Sequence, residues 1–380
     1  MAPPPPLPAA LRALYSDSTG KLNPAAPRKI PEFKPIIRPG ARIMVVGEFP
    51  SEEEEMRGYP FCGKSGQELA SELEEVGLSL DEISQTLVLF QRPKDGDINS
   101  LCVAGKEAAE DRDPVRPFHA LRGKRGMLPA SLVTPALERL YKEISEARPN
   151  VVVAMGNMAL AALTGDHGIG KLRGTIHLAT LRGRPYKILP TYSPETTRRQ
   201  YEQRPTVIAD LRKALAESYS PEWKPKSRLL YIEPTLEDLE KIWLPRLLRA
   251  SELTVDIETK RRQITCIGFS PTPWESYILP FFFAERSYWP DVQAEREAYK
   301  FMRQVLQAPM PKVWQNGMYD LTRLWYYKIA VANSVEDTML LHHSLFPALP
   351  KALGYIGSVW ANERSWKVWR QRGGEEKDNA

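Results

Sequence analysis

Length, composition and charge exclude several classes of protein. The 380 residues suffice for two or three domains, and the 42% hydrophobic content is ordinary for a globular protein. No apolar run approaches a membrane span, the N-terminus lacks a signal-peptide layout, and three scattered cysteines make no disulfide framework; we therefore expect a cytoplasmic protein without a membrane partner. The formal net charge of +5 allows a polyanionic partner without requiring one.

The first half of the chain predicts an α/β domain. Residues 1–40 are rich in proline, which favours an extended segment. Over 41–219 helical patterns alternate with the short apolar runs "RIMVVG", "TLVLF", "NVVVAMG" and "YKILPTY". This alternation indicates a three-layer domain with a mostly parallel sheet, whose site is formed by the loops that follow the strands.

A second α/β unit is predicted over 229–369. The stretch "SPEWKPKS" marks a linker at 220–228, because it mixes proline with charge and has no apolar period. The runs "LTVDIET", "ITCIGFS" and "SYILPFF" are joined by short connections and predict antiparallel neighbours, and "KVWQN" predicts another strand. We therefore expect a mixed sheet, followed by a polar tail over 370–380.

Two acids of the strand "LTVDIETK" are the first candidate site residues. Side chains alternate across a strand, so Asp256 and Glu258 share one face, roughly 7 Å apart. Two ionised carboxylates that close repel each other unless a cation lies between them or one is protonated. Oxygen ligands suit Mg²⁺ or Mn²⁺, and two such ions about 4 Å apart commonly promote attack of water on a phosphodiester.

A third acid follows in "VWQNGMYDLTRLWYY". A strand is predicted to end at Gln315, with Asn316 capping the next helix and Asp320 on its first turn, facing the two earlier acids. Asp337 precedes the helix "TMLLHHSL" and is predicted to be its N-cap, with a place in the metal site as the alternative.

The motifs "VDIET", "WQNGMYD" and "EDTMLLHHSLFPALPKALGYIGSVW" resemble the proofreading 3′-to-5′ exonuclease domain of family A DNA polymerases, particularly those of phages. The resemblance implies a ribonuclease H-like fold and hydrolysis of DNA 3′ ends with two Mg²⁺ or Mn²⁺ ions. It also implies that Asp256, Glu258 and Asp320 are catalytic metal ligands. Asn316 matches the asparagine of the motif, for which we expect a positioning role near the DNA.

One motif of that family is missing. Its members carry a fourth acid in a Tyr-x-x-x-Asp motif, and no tyrosine of this chain is followed four residues later by aspartate. The resemblance therefore implies either a split polymerase, in which a separate polymerase chain supplies the fourth carboxylate and the polymerase domain, or a truncated product.

The segment "GEFPSEEEEMRGYPFCGKSGQEL" resembles the first motif of the uracil-DNA glycosylase superfamily, particularly family 4. Further matches are "ARPNVVVAMGNMALAALTG", "KLRGT" and "ILPTYSPETTRRQ". The resemblance implies a pocket in which a phenylalanine stacks on a flipped base, with simple packing of the loop as the alternative for that residue. The corresponding pocket residues of this chain are Gly47, Glu48, Pro50, Phe61, Leu87 and Ser193.

Glycosylase chemistry is expected to be absent. Ser193 stands where the family has histidine, and Leu87 stands where an asparagine reads the uracil edge. The cysteines of the family 4 iron–sulfur cluster are missing too, so no such cluster is expected. We expect a DNA-binding role, with phosphate contacts from Arg122, Lys124, Arg125, Lys171, Arg173, Arg198 and Arg199, although each cluster is also explained as solvated surface.

Three functions therefore compete: an exonuclease acting on single-stranded 3′ ends or a primer-template, a non-catalytic DNA-binding or polymerase-assembly subunit, and an active uracil-DNA glycosylase.

Overall fold

The computed structural model describes residues 32–103, 122–123, 126–224, 227–283, 286–361 and 363. The predictions for residues 1–31, for the linker positions 225 and 226 and for the tail over 370–380 concern residues outside that range. The strands are β1 (Ile43–Gly47), β2 (Ser84–Leu87), β3 (Arg122–Gly123), β4 (Gly126–Met127), β5 (Val151–Met155), β6 (His177–Leu181), β7 (Arg184–Thr191), β8 (Leu229–Tyr231), β9 (Leu253–Lys260), β10 (Gln263–Thr272), β11 (Glu275–Pro280), β12 (Phe282–Phe283), β13 (Arg286–Ser287), β14 (Lys312–Trp314) and β15 (Ser334–Asp337).

Helices connect and cover these strands. They are α1 (Glu52–Arg57), α2 (Lys64–Glu74), α3 (Ala130–Ala147), α4 (Asn157–Thr164), α5 (Ile169–Leu172), α6 (Pro194–Arg199), α7 (Arg204–Glu217), α8 (Leu236–Asp238), α9 (Leu244–Leu248), α10 (Val292–Gln307), α11 (Gly317–Tyr326), α12 (Thr338–Leu345) and α13 (Leu353–Trp360). A π-helical segment, Leu239–Trp243, joins α8 to α9, and single 3₁₀ turns lie at Leu80–Glu82, Lys94–Gly96, Ile98–Leu101 and Tyr201–Gln203.

The first sheet has the strand order β2-β1-β5-β7-β6. Its first four strands run parallel, and β6 is antiparallel to β7. Because side chains alternate along β1, Met44 and Val46 join one apolar cluster while Ile43 and Val45 join another. Both faces are covered, which explains the unbroken apolar run of this strand. The prediction of a three-layer α/β arrangement with a mostly parallel sheet is confirmed.

The second sheet has the order β15-β14-β9-β10-β11-β8. The predicted antiparallel neighbours β9, β10 and β11 are present, and β14 pairs parallel with β9. The inner face of β9 contributes Leu253, Val255 and Ile257 to a core shared with Phe301 and Met302 of α10. The mixed sheet predicted for the second half is therefore confirmed.

The last described helix joins the two halves of the chain. Tyr355 of α13 shares a hydrogen bond with Thr206 of α7, at 2.5 Å between the two oxygens. The Ser358 hydroxyl accepts from Arg173 Nη1 at 3.0 Å, and Arg173 forms a buried ion pair with Asp210. Leu349, Tyr355 and Val359 form a small apolar cluster with Ala209 against it. A helix that the sequence assigns to the second unit thus packs on the first.

Candidate functional site

Strand β9 presents two acids on its outer face. The side chains alternate between buried and exposed, with Val255 and Ile257 inside and Asp256 and Glu258 outside. The predicted shared face is therefore confirmed. The face is solvent-exposed, which explains how an otherwise apolar strand accommodates two charges.

Asp320 of α11 lies against the same strand. Its side chain is 4% exposed, and its Oδ1 accepts from the backbone N–H of Ile257 at 2.9 Å. Ile257 lies between the two acids in the chain, so this bond fixes Asp320 beside both. Burial raises the pKa of the Asp320 carboxyl to about 6, and the charge of Asp256 adds to the rise.

The donor set fits a hard divalent cation, because all three groups are carboxylates. Cys266 of β10 is the register partner of Glu258; burial raises the pKa of its thiol, and the charges of Glu258 and Asp256 add to the rise. Within the described part of the chain, no group of three or more acidic, histidine or cysteine side chains is arranged so that it could hold a metal ion. Ligation by all three acids thus requires their side chains to turn toward a common centre.

Asp337 links the two helices nearest to these acids. Its Oδ1 accepts from the N–H groups of Met339, at 2.8 Å, and Asn316, at 3.1 Å, and its Oδ2 accepts from that of Gly317 at 2.7 Å. The prediction that Asp337 caps α12 is confirmed. Its contacts with Asn316 and Gly317 form a second cap, at the start of α11, which was not predicted.

The predicted cap by Asn316 is wrong. Asn316 occupies the N-cap position of α11 in the left-handed conformation, with φ 59° and ψ 41°, and its side chain makes no capping hydrogen bond. The strand before it ends at Trp314 rather than at Gln315. Asp337 supplies the capping oxygens from the neighbouring strand, a long-range contact that local spacing does not reveal.

A second candidate pocket lies at the carboxyl ends of β1 and β2. Gly47 and Leu87 end these strands as register partners. A Cβ at Gly47 would lie 2.6 Å from Leu87 Cδ2 and 3.0 Å from Phe61 Cζ, so only glycine allows this approach. The structure therefore brings Gly47, Leu87 and Phe61 together, as predicted from the resemblance. Leu87 is 2% exposed, and its apolar side chain belongs to the same core cluster as Phe61.

Phe61 is held in a strained conformation. Its φ of 52° lies in the left-handed region, which is rare for an aromatic residue. The N–H of Phe61 donates to Glu54 Oε1 at 2.5 Å. A Cβ at Gly66 would lie 1.7 Å from the Phe61 carbonyl oxygen, so α2 packs against this residue only because position 66 is glycine. The ring is 7% exposed and belongs to the apolar core. In the sequence, the capping-box spacing of Ser51 and Glu54 could have indicated that Glu54 is fixed at the start of α1, close to this loop.

The remaining pocket residues are tied to neighbouring backbone. Glu48 Oε1 accepts from the Met158 N–H at 2.8 Å, and burial raises the pKa of this carboxyl while that bond lowers it. Pro50 is buried. Ser193 is the N-cap of α6, and its Oγ accepts from the Thr196 N–H at 3.3 Å. The Ser193 hydroxyl thus has a local structural role.

The predicted phosphate contacts divide into three groups. Arg173 is 1% exposed and paired with Asp210, so the prediction that it contacts DNA at the surface is wrong. Arg198 and Arg199 both pair with Glu195, and Lys171 is exposed. Arg122 lies in β3, while Lys124 and Arg125 fall outside the described residues.

Three comparisons relate the chain to known proteins. Residues 35–216 match the model of the Uracil DNA glycosylase superfamily. A Type-4 uracil-DNA glycosylase of Archaeoglobus fulgidus is 24% identical over 178 residues, which cover 46% of this chain and 75% of that protein. A DNA polymerase of Bacillus phage SP01 is 23% identical over 332 residues, which cover 80% of this chain but 32% of the polymerase. The chain thus spans about a third of that polymerase's length.

Among solved structures, the crystal structure of the Aedes aegypti Nibbler EXO domain aligns at 13% identity with a TM-score of 0.28, covering 40% of this chain and 79% of that domain. A superposition this loose supports no conclusion. Over the described residues, every helix is too short or too polar to cross a bilayer.

The double cap predicts that Asp337→Ala loosens two helices. Each lost cap costs about 1 kcal/mol, so backbone amides at the starts of both α11 and α12 should exchange hydrogen faster. Hydrogen–deuterium exchange with mass spectrometry measures this. Asp291→Ala is the matched control, since Asp291 caps only α10, through Ala294. Faster exchange confined to α12 in Asp337→Ala would contradict the double cap.

Proposed function

We propose that this chain processes DNA, because residues 35–216 match the uracil DNA glycosylase superfamily and most of the chain is similar to a phage DNA polymerase. Its second half is, in this proposal, the proofreading 3′-to-5′ exonuclease part of such a polymerase. It hydrolyses phosphodiester bonds at single-stranded 3′ ends.

The observation that carries this proposal is the position of Asp320. Its bond to the Ile257 N–H brings a third, buried carboxylate beside the part of β9 that carries Asp256 and Glu258. The buried carboxyl of Asp320 thus lies beside two further acids; burial raises its pKa, and the charge of Asp256 adds to the rise. A structural role does not require such an arrangement, whereas a cation-dependent site does.

In this proposal, Asp256, Glu258 and Asp320 hold Mg²⁺ or Mn²⁺. Two bound ions would supply charge stabilisation for both the attacking and the departing oxygen of the phosphodiester. The chain's own contribution is positioning. Ile257 orients Asp320, and Asp337 anchors the first turn of its helix. The hydroxyl of Tyr319, on the same turn, bonds to Thr259 on β9, which gives α11 a further attachment to the strand.

A polymerase segment is the proposed partner, as the source of the fourth carboxylate. Two observations support it. The phage polymerase extends far beyond the third to which this chain is similar. In addition, α11 and α12 expose large apolar side chains, namely Met318, Trp325, Tyr326, Leu340, Leu341 and Leu345. Exposed apolar surface of this kind marks an interaction site.

The first half is proposed to bind DNA without excising uracil. The apolar Leu87 in the pocket and the engagement of Ser193 as a helix cap support this. Excision is the second candidate function, favoured by the match to the glycosylase superfamily.

Incubation of the protein with uracil-containing duplex, followed by alkaline cleavage, should leave the strand intact. Cleavage at uracil that is lost in Phe61→Ala would establish the second candidate instead.

The exonuclease proposal predicts that Asp256→Ala abolishes digestion. Loss of groups that merely orient metal ligands costs 10–100-fold, so loss of a ligand should cost at least about 100-fold. The assay is degradation of a 5′-labelled single strand with Mg²⁺ or Mn²⁺. Glu252→Ala is the control, because Glu252 is an exposed acid that precedes β9; it should retain the wild-type rate.

The wild-type protein should be assayed both alone and with a phage polymerase fragment that carries the Tyr-x-x-x-Asp motif. Digestion that requires the fragment supports completion of the site by a partner. Inertness in both assays would refute the exonuclease proposal and leave the non-catalytic DNA-binding role.

A further inference from the structure

A cavity of about 600 Å³ lies where the two halves of the chain meet. One wall is α7 of the first half, and the other comes from Phe346, Leu349, Val359 and Trp360 of the second. The buried bonds from Arg173 and Thr206 to α13 hold these walls together. None of the proposed metal ligands lines this cavity, so it is separate from the carboxylate site.

The polar lining of the cavity is predominantly cationic. Arg204, Arg212 and Lys213 face one acid, Glu75. Arg204 is already paired with Glu68 and Glu75, which leaves the charges of Arg212 and Lys213. Lys213 donates to the neutral carbonyl oxygens of Gly174 and Ser358. The two carboxylates whose charges act on it, Asp210 and Glu363, are already paired with Arg173 and Arg228. Burial lowers the pKa of its ammonium to about 8, which keeps it mostly protonated at pH 7. The excess positive charge favours an anionic occupant.

Two exposed aromatic rings line the same cavity. Tyr201 is 70% exposed and Trp360 is 58% exposed. The indole Nε1 of Trp360 donates to His342 Nδ1 at 3.2 Å, which fixes the orientation of the ring. His342 itself is 2% exposed and packs against Phe346 and Tyr355, so the support is rigid. A fixed, exposed indole loses little entropy when a flat ligand stacks on it.

We propose that this cavity binds one or two nucleotides of single-stranded DNA. The bases stack on Tyr201 and Trp360, and Arg212 and Lys213 contact the phosphates. Aromatic rings combined with cations are the usual means of binding single strands without sequence preference, and the volume suits a ligand of this size. An apolar peptide would use the rings but leave the cations without partners. The choice of DNA rests on the proposed function, while the site itself does not depend on nuclease activity.

The test uses the full chain in EDTA, so that no cleavage occurs. A fluorescein-labelled deoxythymidine tetranucleotide carrying one 5-iodouracil is irradiated with the protein, and cross-linked peptides are identified by mass spectrometry. The proposal predicts cross-links at Tyr201 or Trp360. In fluorescence anisotropy, Tyr201→Ala and Arg212→Glu should each raise the Kd about 5- to 100-fold.

Matched controls carry the same changes outside the cavity. Tyr219→Ala removes a similarly exposed aromatic ring that does not line the cavity, and Arg249→Glu reverses an exposed charge; both should leave the Kd within two-fold. Tyr201 and Arg212 are exposed, so their variants should keep the wild-type melting temperature. Cross-links confined to other peptides, or an unchanged Kd in both cavity variants, would overturn the proposal. Asp256→Ala should lose digestion yet keep the cross-link, which separates this site from the exonuclease proposal.

Discussion

The candidate site depends on one hydrogen bond, from the Ile257 N–H to the Asp320 carboxylate. It attaches α11 to the middle of β9, where the neighbouring side chains are Asp256 and Glu258. The bond partly offsets the cost of burying a carboxyl group among other acids. Asp337 supports this arrangement from the adjacent strand, because it holds the backbone at the start of the same helix. Without this pair of contacts, nothing would hold Asp320 beside Asp256 and Glu258.

The two halves are also held together by polar contacts. Arg173 pairs with Asp210 inside the first half and donates to Ser358 from the second. A buried charge is tolerated only when it is paired and hydrogen-bonded, so the position of α13 is coupled to the integrity of this pair. The proposed single-strand cavity lies between these halves, and its shape therefore depends on the same contacts.

Much of the fold followed from sequence periodicity. The unbroken apolar run of β1 predicted a doubly covered parallel strand, and the short connections around β9 predicted antiparallel neighbours. The shared face of Asp256 and Glu258 followed from simple alternation along the strand. These features are local, so spacing alone is sufficient to predict them.

Features that depend on contacts distant in sequence could not be predicted. Arg173 looked like a surface cation, because nothing near it in sequence reveals Asp210 or Ser358. Asn316 has a typical capping side chain, but the capping oxygens come from Asp337, 21 residues away. The helix α13 was assigned to the second unit by its position in the chain, whereas its packing partner α7 belongs to the first.

The most direct test of the central claim is a titration of the apoprotein with Mn²⁺, followed by electron paramagnetic resonance of the free ion. Wild-type protein should bind Mn²⁺, and Asp256→Ala and Asp320→Asn should each weaken that binding at least tenfold, while Glu252→Ala should not. Equal Mn²⁺ binding by the wild type and all three variants would show that Asp256 and Asp320 do not form a metal site.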